Sequence, residues 1–371
     1  MMKLFRSWYY LESENFINTD LLRFFASAGI VIYHFSAHCI DFNVLSLMIN
    51  SIWSNLNMLV DMFFVISGVV ICSLYKDRID SLSTYFSFLR KRLARLAPLH
   101  YATLSIFLGI YFVSKFIHQN LTAQNYDLSC LPAQLTFTHA WGLCKSLTFN
   151  GPSWSVSAEM GVYLLTPILL LIGSRTAPTI AAVAAVMLLS AAIPDGEQIH
   201  TRTFALGVLR AIPGFLVGAC LAAHRASAWI RVCSRVPLTL AFAAFVFSPI
   251  LVSSPLARIF AAYLVAAIAF ARDVEGNVAP GVRRYAPWGR LTYSLYMLHA
   301  PLLAIVVTLG IERLAHLTGV LKVAAIAVTA GAILPLLAIT SLQVFEMPAR
   351  RFLSGGREAG RDRKIAVEIA P

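Results

Sequence analysis

Charge is scarce in this chain of 371 residues: Asp, Glu, Lys and Arg together make up 13% of it, where a soluble protein carries about a quarter. Acidic residues are the scarcer sign, 18 against 30 Lys and Arg, for a formal net charge of +12. With 58% hydrophobic residues, this composition excludes an ordinary soluble enzyme and points to repeated membrane-crossing segments. The positive balance does not indicate nucleic acid, because the basic residues sit in short stretches between apolar runs, as the positive-inside rule expects. Cysteine is also sparse: the six present form no C-x-x-C pair and no zinc-ligand spacing, which argues against a zinc module or a dithiol redox motif. A cleavable leader is not expected either. Glu12, Glu14 and Asp20 interrupt the start of the chain, and no small-residue cleavage site follows a short apolar core. No internal repeat at a solenoid period is visible.

The apolar stretches predict an all-α polytopic membrane bundle of about ten transmembrane helices, at roughly 18–38, 56–75, 98–117, 155–173, 177–194, 203–222, 237–253, 255–271, 291–311 and 321–343. Most of the 30 Lys and Arg fall on one set of alternating connections, which places both termini in the cytoplasm. The expected organisation is a cytoplasmic N-terminal segment over 1–17, one transmembrane domain over 18–348 and a basic, disordered cytoplasmic tail over 349–371. No soluble domain is expected after the last span. Cys130 and Cys144 share the longest outer loop, where an oxidising compartment would allow a disulfide.

Polar residues inside membrane helices are costly and by default suggest function. The first span carries Arg23 and His34, eleven positions apart. Eleven steps of about 100° return a helix to nearly the same face, about 16 Å further along. Arg23 has a plain alternative as a snorkelling residue near the cytoplasmic surface; His34 lies too deep for that. His38 follows at i+4, a spacing that can hold a metal, but Asp41 nearby would lie beyond the helix end, no further His or Cys cluster supports one, and the metal reading is weak. After the second span comes FLRKRLARLAPLHY, in which Pro98 reads as the first residue of the third helix. Arg92 and Arg95, at i and i+3, are placed to grip a phosphate from the cytoplasmic side; simple anchoring suits Arg90 and Lys91 better.

Further along, NGPSWSVSAEMG places Glu159 about a turn inside the fourth span. It reads either as a functional carboxylate or as a helix-start device capped by Ser155 or Ser157, with Trp154 as an interfacial aromatic. The ninth span, LTYSLYMLHAP, holds Tyr293, Tyr296 and His299. Glu346 closes the tenth, and a salt bridge to Arg350 at i+4 is its simplest role.

Taken in order, these pieces resemble the acyltransferase-3 family of polytopic membrane acyltransferases, which includes O-acetylases of bacterial surface polysaccharides. The resemblance runs from about Asp20 to Arg351. It rests on Arg23 with His34, FFVISG from Phe63 to Gly68, Arg92 and Arg95 with Pro98, Trp154 with Ser155 and Glu159, the segment around His299, and Glu346 with Pro348. Two positions depart from the common pattern, Val69 for an aromatic and Met160 for an acidic residue.

The resemblance implies a multi-pass protein of the bacterial inner membrane that moves an acyl group, commonly acetyl, from cytoplasmic acyl-CoA to a hydroxyl of a carbohydrate such as an exopolysaccharide or O-antigen. It implies a donor, acetyl-CoA or another acyl-CoA, with no metal and no nucleic-acid partner. The chain is similar to the stand-alone branch, without a fused esterase-like domain. On this reading Arg23, Arg92 and Arg95 bind the donor phosphates. His34 is the general base, or an acylated nucleophile; Glu159, on the outer side, orients His34 or binds the acceptor; and Trp154, Ser155, Tyr293 and His299 contact the acceptor. The competing reading is a transporter or flippase for a glycan or small anion, with Arg23, His34 and Glu159 along its path. Paired halves expected of many transporters are not visible.

Overall fold

The computed structural model describes residues 16–39, 52–53, 55–118 and 126–354. The N-terminal segment before Phe16, Asp41 and the basic tail beyond Ser354 lie outside the described residues. Every regular element among the described residues is a helix. We number the main ones α1 (Ile17–Ser36), α2 (Leu56–Tyr75), α3 (Leu82–Phe116), α4 (Trp154–Leu164), α5 (Thr166–Gly173), α6 (Thr176–Ala192), α7 (Gly207–Ala223), α8 (Ala228–Ser234), α9 (Leu238–Phe247), α10 (Pro255–Val274), α11 (Val282–Leu314) and α12 (Gly319–Leu353).

Five of these, α2, α3, α10, α11 and α12, are long and apolar enough to cross a membrane, and the number rises to seven if α4 with α5 and α7 with α8 are each one bent span. Helices occupy all ten expected segments, but α6 and the run Leu238–Ile250 are short. α1, at 20 residues, would rise about 30 Å, enough for a bilayer core. Asn18, Asp20, Arg23 and His34 make it too polar to stand among the five. The fourth expected span is not one straight helix. α4 and α5 meet at an angle of 75°, where Pro167 in the first turn of α5 lacks the N–H that would continue the ladder from α4. α7 and α8 meet at 107°.

The third expected span needs correction. Pro98 does not open it. α3 starts sixteen residues earlier, at a capping box in which the Thr84 N–H donates to Ser81 Oγ and the Ser81 N–H donates to Thr84 Oγ1 at 3.0 Å. The helix then runs through Pro98 for 35 residues. Pro98 has no N–H to give the Ala94 carbonyl, but a membrane helix tolerates this where neighbouring elements pack around it. In consequence Arg92 and Arg95 belong to the interior of one continuous helix rather than to a segment ahead of the third span.

α2 is the central helix. Most of its residues from Leu59 to Cys72 are buried, and one apolar core joins it to α1, α7 and α10. The α2–α7 crossing depends on small residues. A Cβ added to Gly68 would collide with the Phe215 carbonyl of α7, and one added to Gly218 with the Val65 carbonyl of α2. The glycine of FFVISG therefore has a packing function, the close backbone approach by which membrane helices associate. The outer faces of α3, α6 and α12 expose Phe112, Leu188, Leu189, Leu336 and Val344, as helices facing lipid must.

α1 is anchored at its start by another helix. Phe16 offers no side-chain cap. Instead Asp273, in the last turn of α10, accepts from the Asn18 N–H at 2.7 Å and the Thr19 N–H at 2.9 Å, and from the Thr19 hydroxyl at 2.6 Å. A carboxylate at these otherwise unpaired N–H groups is favoured by both hydrogen bonding and the helix dipole. It sets the height of the helix that carries Arg23 and His34.

Candidate active site

Five helices enclose a cavity with an empty volume of about 750 Å³, its open mouth included. α1 contributes Arg23, α2 Phe63 and Ser67, α3 Arg92 and Arg95, α4 Ser155 and Glu159, and α11 Tyr293 and Tyr296. Three guanidinium groups and one carboxylate thus meet on the walls of one space.

Arg92 is held by aromatic rings. It donates from Nη2 to the Tyr75 hydroxyl at 2.8 Å, and its guanidinium carbon lies 5.0 Å from the Tyr75 ring centroid, 5.6 Å from that of Phe88 and 5.9 Å from that of Tyr163. Such stacking suits a planar guanidinium and not an ammonium. Tyr163 also donates its hydroxyl proton to Glu159, one helical turn away, and Ser67 donates to the same carboxylate oxygen at 3.2 Å. Glu159 is therefore oriented by α2 and its own helix. It lies with the arginines, not across the bundle from them. The Nε–H groups of Arg23 and Arg92 are buried with no hydrogen-bond partner among the described residues. Unpaired buried donors are uncommon in native structures and call for an explanation.

The helix-cap reading of this segment does not match the geometry. Ser155 donates to the Tyr296 hydroxyl at 2.7 Å, and Ser157 donates to the Phe137 carbonyl at 2.7 Å. Tyr296 donates onward to the Pro152 carbonyl at 2.8 Å, while Tyr293 donates to the Leu96 carbonyl at 2.6 Å and ties α11 to α3.

His34 does not line the cavity. Its Nδ1 is 3.0 Å from the Ile30 carbonyl. A carbonyl only accepts, so that bond puts the proton on Nδ1 and leaves the Nε2 lone pair available. A series of rings leads to it from the cavity wall. Tyr296 lies 5.8 Å from His299 between centroids, and His299 lies 4.8 Å from His34. His299 is fully buried. His38 bonds Glu312 at 3.0 Å, and Lys322 approaches the same carboxylate at 3.2 Å. Among the described residues no group of three or more His, Cys, Asp or Glu is gathered for a metal.

Trp154 is also away from the cavity. It is buried against Phe64, 6.3 Å between centroids, and under Arg210, whose guanidinium carbon is 5.2 Å from its ring. Arg210 and Asp61 were not singled out from the sequence. They form an ion pair at 2.7 Å with both side chains fully buried, joining α7 to α2. The signal was present: each is an ionisable residue in an otherwise apolar run. Glu346 accepts from Ser294 and Ser341, both at 2.7 Å, so its structural partners include two hydroxyls on α11 and α12. Cys130 and Cys144 form a disulfide with Cα atoms 5.3 Å apart.

A family model described as an acyltransferase domain matches residues 16–340. No curated protein and no solved structure matches the chain. The matched region takes in every cavity-lining residue named above, and with most of its length covered the chain belongs to the acyltransferase-3 family.

Proposed function

We propose that this membrane acyltransferase moves an acyl group, acetyl in the simplest case, from cytoplasmic acyl-CoA to a hydroxyl of an exported or cell-surface carbohydrate. In this reading the bundle crosses the bacterial inner membrane about ten times, with both termini and the arginine-rich end in the cytoplasm. The observation that carries it is the convergence of Arg23, Arg92 and Arg95 with Glu159 on one cavity. Guanidinium groups form paired, charge-assisted hydrogen bonds with phosphate, and the partnerless Nε–H groups of Arg23 and Arg92 are donors such an anion would satisfy. The three arginines hold the phosphates of the donor, and Tyr293 and Ser155 shape the path of its arm.

His34 is the base. The donor's arm extends from the cavity past Tyr296 and His299, and the Nε2 of His34 takes the proton of the acceptor hydroxyl as that oxygen adds to the thioester carbonyl. The C–S bond then breaks, the imidazolium returns the proton to the departing thiolate, and the products are an O-acyl ester and CoA thiol. His299 packs against the imidazole and orients it. Glu159, held by Ser67 and Tyr163, balances the arginine charge.

Comparing surface glycans by mass spectrometry from cells with and without the chain tests this reading. Loss of an acyl substituent, restored by the wild-type chain and not by His34→Ala, is the expected result. Identical glycans in both cells would remove the carbohydrate acceptor from the account.

A further inference from the structure

A second cavity of about 630 Å³ adjoins the first and shares Arg23, Arg95 and Tyr293 with it. Beyond that shared wall it is lined by Arg290, in the first turns of α11, and Arg350, near the end of α12, together with Asp20 and Glu346. Four guanidinium groups thus face two carboxylates. Both carboxylates have partners in the wall: Asp20 lies 3.6 Å from Arg23, and Glu346 accepts from Ser294 and Ser341. Arg290 donates from Nη2 to the Met347 sulfur, 3.6 Å away. The excess positive charge, supplied by four separate parts of the chain, suits a compact dianion.

An acyl-CoA has a matching division. Its 3′-phosphate monoester and 5′-diphosphate lie at one end, and a long uncharged arm leads to the thioester. Resting on the acyl-CoA reading above, we propose that the second cavity is a phosphomonoester pocket, in which Arg290 and Arg350 take the donor's ribose 3′-phosphate. Arg23 and Arg95, on the shared wall, take the diphosphate together with Arg92 of the first cavity. The arm passes Tyr293, fixed by its bond to the Leu96 carbonyl, into the first cavity. The second cavity is then what distinguishes CoA thioesters from donors without the 3′-phosphate.

The test compares acetyl-CoA with acetyl-3′-dephospho-CoA in transfer by the purified full chain. For the wild type, KM for the dephospho donor is expected to be about tenfold or more above that for acetyl-CoA, the scale of a lost charge-assisted contact. In Arg290→Gln the ratio of the two KM values is expected to fall to about one, and Arg350→Gln is expected to lower it as well. Equal KM values in the wild type would overturn the pocket without needing any variant, and would fit a lipid phosphate as occupant instead. An unchanged tenfold ratio in both variants would also overturn it. Absence of transfer from either donor would remove the acyl-CoA reading itself along with the pocket, so the two failures are distinguishable.

Discussion

The rings of His34 and His299 lie 4.8 Å apart between centroids, on α1 and α11, and the Ile30 carbonyl of α1 orients His34 through its Nδ1. The arrangement separates a reacting imidazole from a supporting one. His299→Ala is expected to lower kcat by about 10–100-fold through loss of positioning, leaving KM for acyl-CoA near the wild-type value. A measured effect confined to KM would place His299 in donor binding and contradict the assignment.

Arg92 is surrounded by three aromatic rings and bonds the Tyr75 hydroxyl. Arg92→Ala is expected to raise KM for acyl-CoA by about tenfold or more, with a much smaller change for the acceptor. Arg92→Lys is expected to recover little of this, since an ammonium neither stacks nor forks. Equal losses for donor and acceptor, measured by steady-state kinetics, would count against a phosphate role.

The cap that Asp273 supplies to α1 holds the reacting helix at its height. Asp273→Ala leaves the Asn18 and Thr19 N–H groups without their partner. The expected cost is about 1.5–3 kcal/mol, the range for hydrogen bonds to a charged group. Thermal unfolding in detergent reads this as a lower Tm, and an unchanged Tm would show that the cap contributes nothing.

The Asp61–Arg210 pair has neither side chain exposed. Removing one partner strands the other charge, so Asp61→Ala is expected to destabilise by about 3–5 kcal/mol. The double variant Asp61→Ala with Arg210→Met is expected to be more stable than either single one. Additive losses in the double variant would show that the pair is not coupled.

Much of this arrangement is legible in the sequence because helix geometry is regular. Arg23 and His34 share a face of α1 through the spacing alone, and Arg92 with Arg95 follows from i, i+3. Pro98 misled because proline is common in the first turn of a helix, whereas the competing start signal at Ser81 and Thr84 lies in a polar stretch that the apolar pattern does not reach. The pairing of Asp61 with Arg210 depends on α2 and α7 crossing closely at Gly68 and Gly218, a long-range relation with no local mark. The same holds for Glu159. Its position in the sequence fits a helix cap, and only the fold brings Ser67 and Arg92 to its side.

The most direct measurement is transfer of radiolabelled acetyl from acetyl-CoA to a carbohydrate acceptor by the purified chain in detergent, wild type beside His34→Ala. The expected result is label on the acceptor with the wild type and none with His34→Ala, while both proteins insert and unfold alike. Transfer at wild-type rate by His34→Ala would contradict the central claim that this imidazole performs the chemistry.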